Sequence, residues 1–249
     1  ARDERLQSIK NGLKHFAQQL GPARDLDVLT DDVLKPFRAR HPKDKGAASL
    51  VRAFSRQRTK AHAHAVATVQ SPEFHRFVIN CTAWIETGSW STDADAGRTL
   101  LRQRPVAVHA AEQIGKRRKR CRKFERDLRS LTDADRHRVR ISVKKLRYTV
   151  EFFESLYASG AKHRQMKKLL RACQRVQDSF GALNDLAVRR ELFAKFVLVK
   201  KTGALARAFS AGMLLGEQEH EVAALKKKAS RGWKAIHKAK PFWKISATQ

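Results

Sequence analysis

Apolar residues recur three and four positions apart along almost the whole chain, and this spacing commits it to helices before anything else is considered. Leu6, Ile9, Leu13, Phe16 and Leu20 form one such stripe, and Val139, Val143, Leu146, Val150 and Phe153 form another. Alternating strand patterns bounded by turn residues are hard to find, so the chain reads as all-α. The spacing predicts a first helix that Gly21 and Pro22 end, then a shorter one carrying Leu26, Val28 and Val33. A long helix follows over 46–70, and Ser71-Pro72 opens another that runs through Trp84 and Ile85. The stretch TGSWSTDADAGR, 87–98, reads as a linker. Beyond it the pattern predicts helices at about 105–129, 133–157, 162–179, 184–200 and 203–239, the last closed by Pro241.

Amphipathic helices bury their apolar stripes against one another and leave the charge outside. Here 53 Lys and Arg stand against 24 Asp and Glu, a net charge of +29 in 249 residues. A folded body so charged repels itself unless an anion accompanies it, so a polyanionic partner is expected. Hydrophobic residues make up 42% of the chain, which argues against wholesale disorder. Cys81, Cys121 and Cys173 are scattered singly, with neither metal-knuckle spacing nor an even count, and a reducing cytoplasm fits them best. No apolar run approaches the roughly 18–20 residues of a membrane span. The opening ARDERLQSIK does not look like a signal peptide.

One helix separates its charge from its apolar stripe with unusual clarity. In DADRHRVRISVKKLRYTVEFF, residues 133–153, Arg140, Lys144 and Arg147 fall within about 80° of His137 at 100° per residue, with Glu151 in the same sector. The aliphatic stripe lies about 120° away, and Lys145 lies off both. Solvated helices usually mix signs at i, i+4, yet 136–147 contains no acid. That points to an anion site, with His137 near the helix start able to donate a hydrogen bond to phosphate. A metal-ligand role for His137 is disfavoured, because only Asp133 lies within a turn as a second ligand.

Further cations follow helical spacing less cleanly: Arg52, Arg56, Lys60 and His64; Lys116, Arg120 and Lys123; Lys227, Arg231, Lys234 and Lys238. If these helices bundle antiparallel, their cationic stripes can converge on a shared groove or pore. A nucleic-acid binder is supported by charge alone, since aromatics are 8% and no base-reading motif is present. A phosphotransfer or phosphohydrolase enzyme lacks a P-loop and a carboxylate cluster for Mg²⁺. No catalytic residue, metal or cofactor is expected.

The chain also resembles itself. LGPARDLDVL around Gly21 and FGALNDLAVR around Gly181 place Gly, Asp25 or Asp185, Leu and Val at matching offsets 160 residues apart. This reads as a repeated helix-turn-helix, with both glycines as positive-φ caps and both aspartates near the start of the next helix.

The run HRVRISVKKLRYTVEFF, His137 to Phe153, resembles the second basic helix of the CHAD family, the conserved histidine α-helical domains. LGPARDLDVL and QDSFGALNDLAV resemble that family's two Leu-Gly…Asp turns, and GWKAIHKAKPFW its C-terminal ending, so the likeness covers essentially the whole chain. It implies a single domain over 1–249 with two pseudo-symmetric four-helix-bundle repeats, about 1–90 and about 99–249, around a basic central groove or pore. It also implies binding of inorganic polyphosphate and association with polyphosphate or storage granules. His137, Arg140, Lys144 and Arg147 match the family's histidine and basic positions, Tyr148 and Glu151 its following aromatic and acid. Lys14 sits where the first repeat has a basic residue before its Gly turn. The expected polyphosphate-binding set is these four with Lys14, Arg52, Arg56, Lys60, Lys116, Arg120, Lys123, Arg231 and Lys234. At the 160-residue offset the first copy of the basic helix would precede residue 1. A bundle lacking it would expose apolar surface, which favours a preceding segment over a half-absent site.

Overall fold

Asp3 fixes the start of the first helix twice over, accepting the backbone N–H of Leu6 at 3.0 Å and the indole N–H of Trp84 at 2.9 Å. The computed structural model describes residues 3–88, 96–124, 128, 131–197 and 203–244, and every regular element among them is helical. The chain divides into two compact units. Unit 1 is Ala1–Thr99 with Lys195–Leu214, and unit 2 is Leu100–Ala194 with Leu215–Gln249.

Unit 1 begins with α1 (Glu4–Asp27), which runs straight through Gly21 and Pro22 into a π-helical segment, Val28–Leu34, and α2 (Lys35–Arg40). The predicted stop at Gly21-Pro22 is therefore corrected, and Gly21 does not adopt positive φ. An interior proline costs about 3 kcal/mol. Against this, continuing the rod buries Leu29, Val33, Leu34 and Phe37, each contributing about 1.5–3 kcal/mol. The rod packs along α3 (Lys45–Val69), which Asp44 caps by accepting the Gly46 N–H at 2.8 Å. The Asp44 carboxylate also accepts the Ser210 hydroxyl at 2.7 Å, from α9 (Ala204–Glu219). A Cβ at Gly46 would overlap the Ala206 carbonyl, so glycine is what lets these backbones meet. Helix α4 (Pro72–Thr87) starts as expected, with Ser71 as cap and proline in its first turn. Its Phe74 and Phe77 meet Phe16 at ring-centroid distances of 5.0 and 4.9 Å, yet no residue of α4 is fully buried.

The predicted linker falls largely on 89–95, outside the described residues. Helix α5 (Ala96–Gln103) follows, then α6 (Val106–Cys121), α7 (Asp133–Phe152) and α8 (Gly160–Val197). The expected break at Gly181 is corrected: α8 is one helix, and Gly181 does not adopt positive φ. Met166, Leu169, Cys173, Val176, Phe180 and Leu183 keep the 3–4 spacing unbroken across that glycine and all are buried, so nothing in the packing asks the helix to stop. The predicted 203–239 helix is two, α9 and α10 (Val222–Lys238).

Residues of α6, α7, α8 and α10 build the core of unit 2. A Cβ at Gly232 would lie 2.9 Å from the Ala172 carbonyl oxygen, which marks the close approach of α10 to α8. After α10 the chain folds back, burying Phe242 against Tyr157 at 5.0 Å and Trp243 beside it.

Candidate functional site

Helix α7 is aimed by its two ends of chemistry, a cap and an aliphatic stripe. The Thr132 hydroxyl accepts the Asp135 backbone N–H at 3.2 Å and donates to the Asp135 carboxylate at 2.7 Å, closing the first turn. That bond, then the ion pair with Arg138, holds the Asp135 carboxyl below its usual range. Val139, Val143, Leu146 and Val150 are completely buried, which fixes the rotation of the helix.

The rotation leaves His137 and Lys144 exposed and Arg140 and Arg147 partly covered. Arg140 lies over α8 at Gly181, where a Cβ would come 3.8 Å from its Nε. That Nε is buried without a hydrogen-bond acceptor. The guanidinium thus rests against Gly181, a neighbour its cap-like sequence context did not reveal. The Arg147 Nε also lacks a hydrogen-bond acceptor, but Arg147 pairs with Glu151 at 3.3 Å and donates to Gln174, whose amide donates to Asp178 at 2.5 Å. Tyr148 is 48% exposed and sits under Lys144 at 5.5 Å and Arg147 at 5.1 Å. The aromatic ring face attracts both cations and keeps them together. The stripe is therefore graded, neutralised at Arg147 and uncompensated by carboxylate at His137, Arg140 and Lys144 among the described residues. Lys145 is exposed off the stripe, as its position on the wheel requires.

The remaining predicted residues do not form one described cluster. Lys14 on α1 and Arg52, Arg56 and Lys60 on α3 are exposed parts of unit 1. The opposite side of α3 spends its cations on acids: Arg58 reaches Asp27 at 2.5 Å and Asp31 at 3.1 Å, and His62 reaches Asp27 at 2.8 Å. The His62 and Arg58 hydrogen bonds hold the Asp27 carboxyl below its usual range. Asp25, the repeat residue, is exposed and only grazes Arg24 at 3.9 Å. In unit 2, Lys116 and Arg120 are exposed on α6, Lys123 in the turn just after it, and Arg231 and Lys234 on α10. Lys123 and Lys234 line two separate cavities that share Arg122.

A family model described as the CHAD domain matches residues 1–194. The chain belongs to the CHAD domain family. No curated protein matches it. Within this CHAD domain the matched span contains the whole α7 stripe and Gly181, whereas α9, α10 and the C-terminal fold-back lie beyond it.

Three features of the CHAD domain escaped the sequence reading. Arg118 is a cap for another helix: its guanidinium donates to the carbonyls of Ile236, His237 and Ala239 at 3.4, 3.0 and 2.5 Å, closing the end of α10. Partial burial, and then the charge of Arg122, push that guanidinium below its ordinary pKa. Arg118 also lies 5.4 Å from the Trp243 ring. Periodicity could not single it out, because KRRKRCRK, 116–123, puts cations at every azimuth of the helix. Finally, Cys121 and Cys173 are buried, and burial pushes both thiols up; Cys121 Sγ lies 3.2 Å from the Ser142 hydroxyl. Among the described residues no three His, Cys, Asp or Glu side chains cluster as metal ligands do, and no helix is long and apolar enough to cross a membrane.

Proposed function

We propose that this CHAD domain binds inorganic polyphosphate on the cationic face of α7, holds it without chemistry, and thereby associates with polyphosphate or storage granules. One observation carries the reading: Arg140 and Lys144 stand beside His137 with no carboxylate partner among the described residues. An incoming phosphate supplies the missing counter-charge and relieves the repulsion. Arg140 offers a forked donor and Lys144 a mobile point charge, a combination suited to a chain of phosphates with no bases to read. Tyr148 holds Lys144 and Arg147 in register by attracting both. The two pseudo-symmetric bundles and basic groove implied by the family resemblance belong to the same proposal, supported by the repeated LGPARDLDVL and FGALNDLAVR sequences. Non-catalytic holding is supported by the burial of Cys121 and Cys173, which disfavours thiolate nucleophiles.

A competition titration tests the proposal. Long polyphosphate, single-stranded DNA and orthophosphate are compared at matched salt. Polyphosphate should bind far more tightly than orthophosphate, because adjoining units engage several cations for one loss of translational freedom. Affinity should fall as salt rises, as it does for other polyanions that release counterions. DNA binding as tightly as polyphosphate would overturn the assignment in favour of nucleic acid.

A further inference from the structure

At the C-terminal end of α6 a cavity of about 700 Å³ opens between that helix and the fold-back after α10. Cations are favourable at a helix C-terminus, and Arg118, Lys119 and Arg120 in the last turn of α6 already meet that demand, Arg118 also reaching across to cap α10. The remaining charges of the wall, Arg122, Lys123 and Lys244, are more than capping requires. No carboxylate lines the cavity among the described residues. Like charges gathered around one concavity repel, and the arrangement favours an anion within it. Trp243 forms part of the same wall, and its indole N–H donates to no described residue. Gly115 lies against the indole, a Cβ there reaching 3.4 Å from the ring nitrogen. Pro241, Trp243 and Lys244 all lie beyond the span matched by the family model.

We propose that this cavity is a second anion site, distinct from the α7 face, for a compact oligophosphate: a pyrophosphate or triphosphate group, free or at the end of a nucleotide. Its volume falls within the roughly 300–1,000 Å³ of small-ligand pockets. Trp243 is only 6% exposed, so it offers an N–H and an apolar wall but no open face on which a base can stack. Recognition therefore belongs to the phosphates. The proposal does not rest on the polyphosphate reading of α7.

Pyrophosphate, tripolyphosphate, ATP and orthophosphate are titrated into the full chain, with binding read by calorimetry and by tryptophan fluorescence. Pyrophosphate should bind at least about tenfold more tightly than orthophosphate, since several cations engage one ligand. ATP should bind no more tightly than tripolyphosphate. Lys119→Glu combined with Arg122→Glu should weaken pyrophosphate binding by more than about tenfold, by removing two cations and adding two repulsive charges. Should circular dichroism show that double variant misfolded, Lys244→Gln, exposed on the opposite wall, must still weaken binding. Lys145→Glu, exposed on α7 away from the cationic stripe and from the cavity lining, should leave pyrophosphate binding nearly unchanged. The proposal is overturned if a well-folded cavity variant binds pyrophosphate as the parent does, if Lys145→Glu weakens that binding as much as the cavity variants do, or if ATP binds much more tightly than tripolyphosphate.

Discussion

Helix α7 in unit 2 and helices α1 and α4 in unit 1 carry the same apolar spacing and bury it very differently. On α7 the aliphatic stripe is completely enclosed, whereas on α1 the central Leu13 is 56% exposed and α4 leaves Ile79 65% exposed. Val66, Val69, Val78 and Ile85 are exposed in the same unit. Periodicity therefore identifies the face a helix can bury but not the neighbour that buries it. The units also treat charge differently. Unit 1 ties Arg58 and His62 to Asp27 and Asp31, while the upper part of the α7 stripe in unit 2 has no such acids. Unit 2 places its ion pairs elsewhere, for example between Lys167 and Glu154 and between Arg190 and Glu219, and leaves Arg140 and Lys144 without a carboxylate among the described residues.

The comparison predicts its largest effect in the core of unit 2. Trp233→Ala removes a side chain only 1% exposed and should cost about 3–5 kcal/mol in denaturant unfolding. A loss below about 1 kcal/mol would contradict tight enclosure of that core.

Helix contacts should give the next largest effects. Gly232→Val must push α10 from α8, and Gly46→Ala must push α9 from α3, each costing about 1–3 kcal/mol by overpacking. Equal stability of either variant with the parent, by thermal and chemical denaturation, would show that the backbones do not approach as described.

A smaller, pH-dependent effect should be confined to unit 1. Asp27 has a folded pKa depressed by His62 and Arg58, so its contribution is present above the unfolded carboxylate value of about 3.9 and is lost as pH falls through the lower folded value. Asp27→Asn should lower amide-exchange protection in α1 and α3 near neutral pH and make little difference once the acid is protonated. Equal loss at both pH values would mean that charge is not what Asp27 contributes.

The smallest change is expected on the exposed face. Ile79→Gln should alter stability by no more than about 0.5 kcal/mol. A loss approaching that of Trp233→Ala would show that α4 is enclosed and would erase the contrast between the units.

The all-helical class, the start of α4 and the rotation of α7 were legible because each follows from local spacing or capping chemistry. Ser71-Pro72 is a helix start wherever it occurs in such a context, and Val139, Val143, Leu146 and Val150 leave little choice of buried face. The ends at Gly21 and Gly181 were misread because Gly and Pro report only a local preference, and burial of Phe37 in one case and Leu183 and Leu186 in the other outweighed it. Arg147 and Arg140 looked equivalent on a wheel. Only tertiary placement shows Gln174 beside the first and the bare backbone of Gly181 beneath the second. Arg118 was hidden by the cations around it.

The account's central claim is that the positive charge of α7 serves a ligand and not the fold. Replacing Arg140, Lys144 and Arg147 together with Glu leaves the buried stripe untouched, so thermal unfolding should shift only modestly. Each lost contact to a charged phosphate oxygen costs about 1.5–3 kcal/mol, and the reversed charges add repulsion. Titration with long polyphosphate should therefore show affinity reduced by orders of magnitude, with Lys145→Glu as a control that matters much less. Parent-like affinity in the folded triple variant, or equal damage from Lys145→Glu alone, would contradict it.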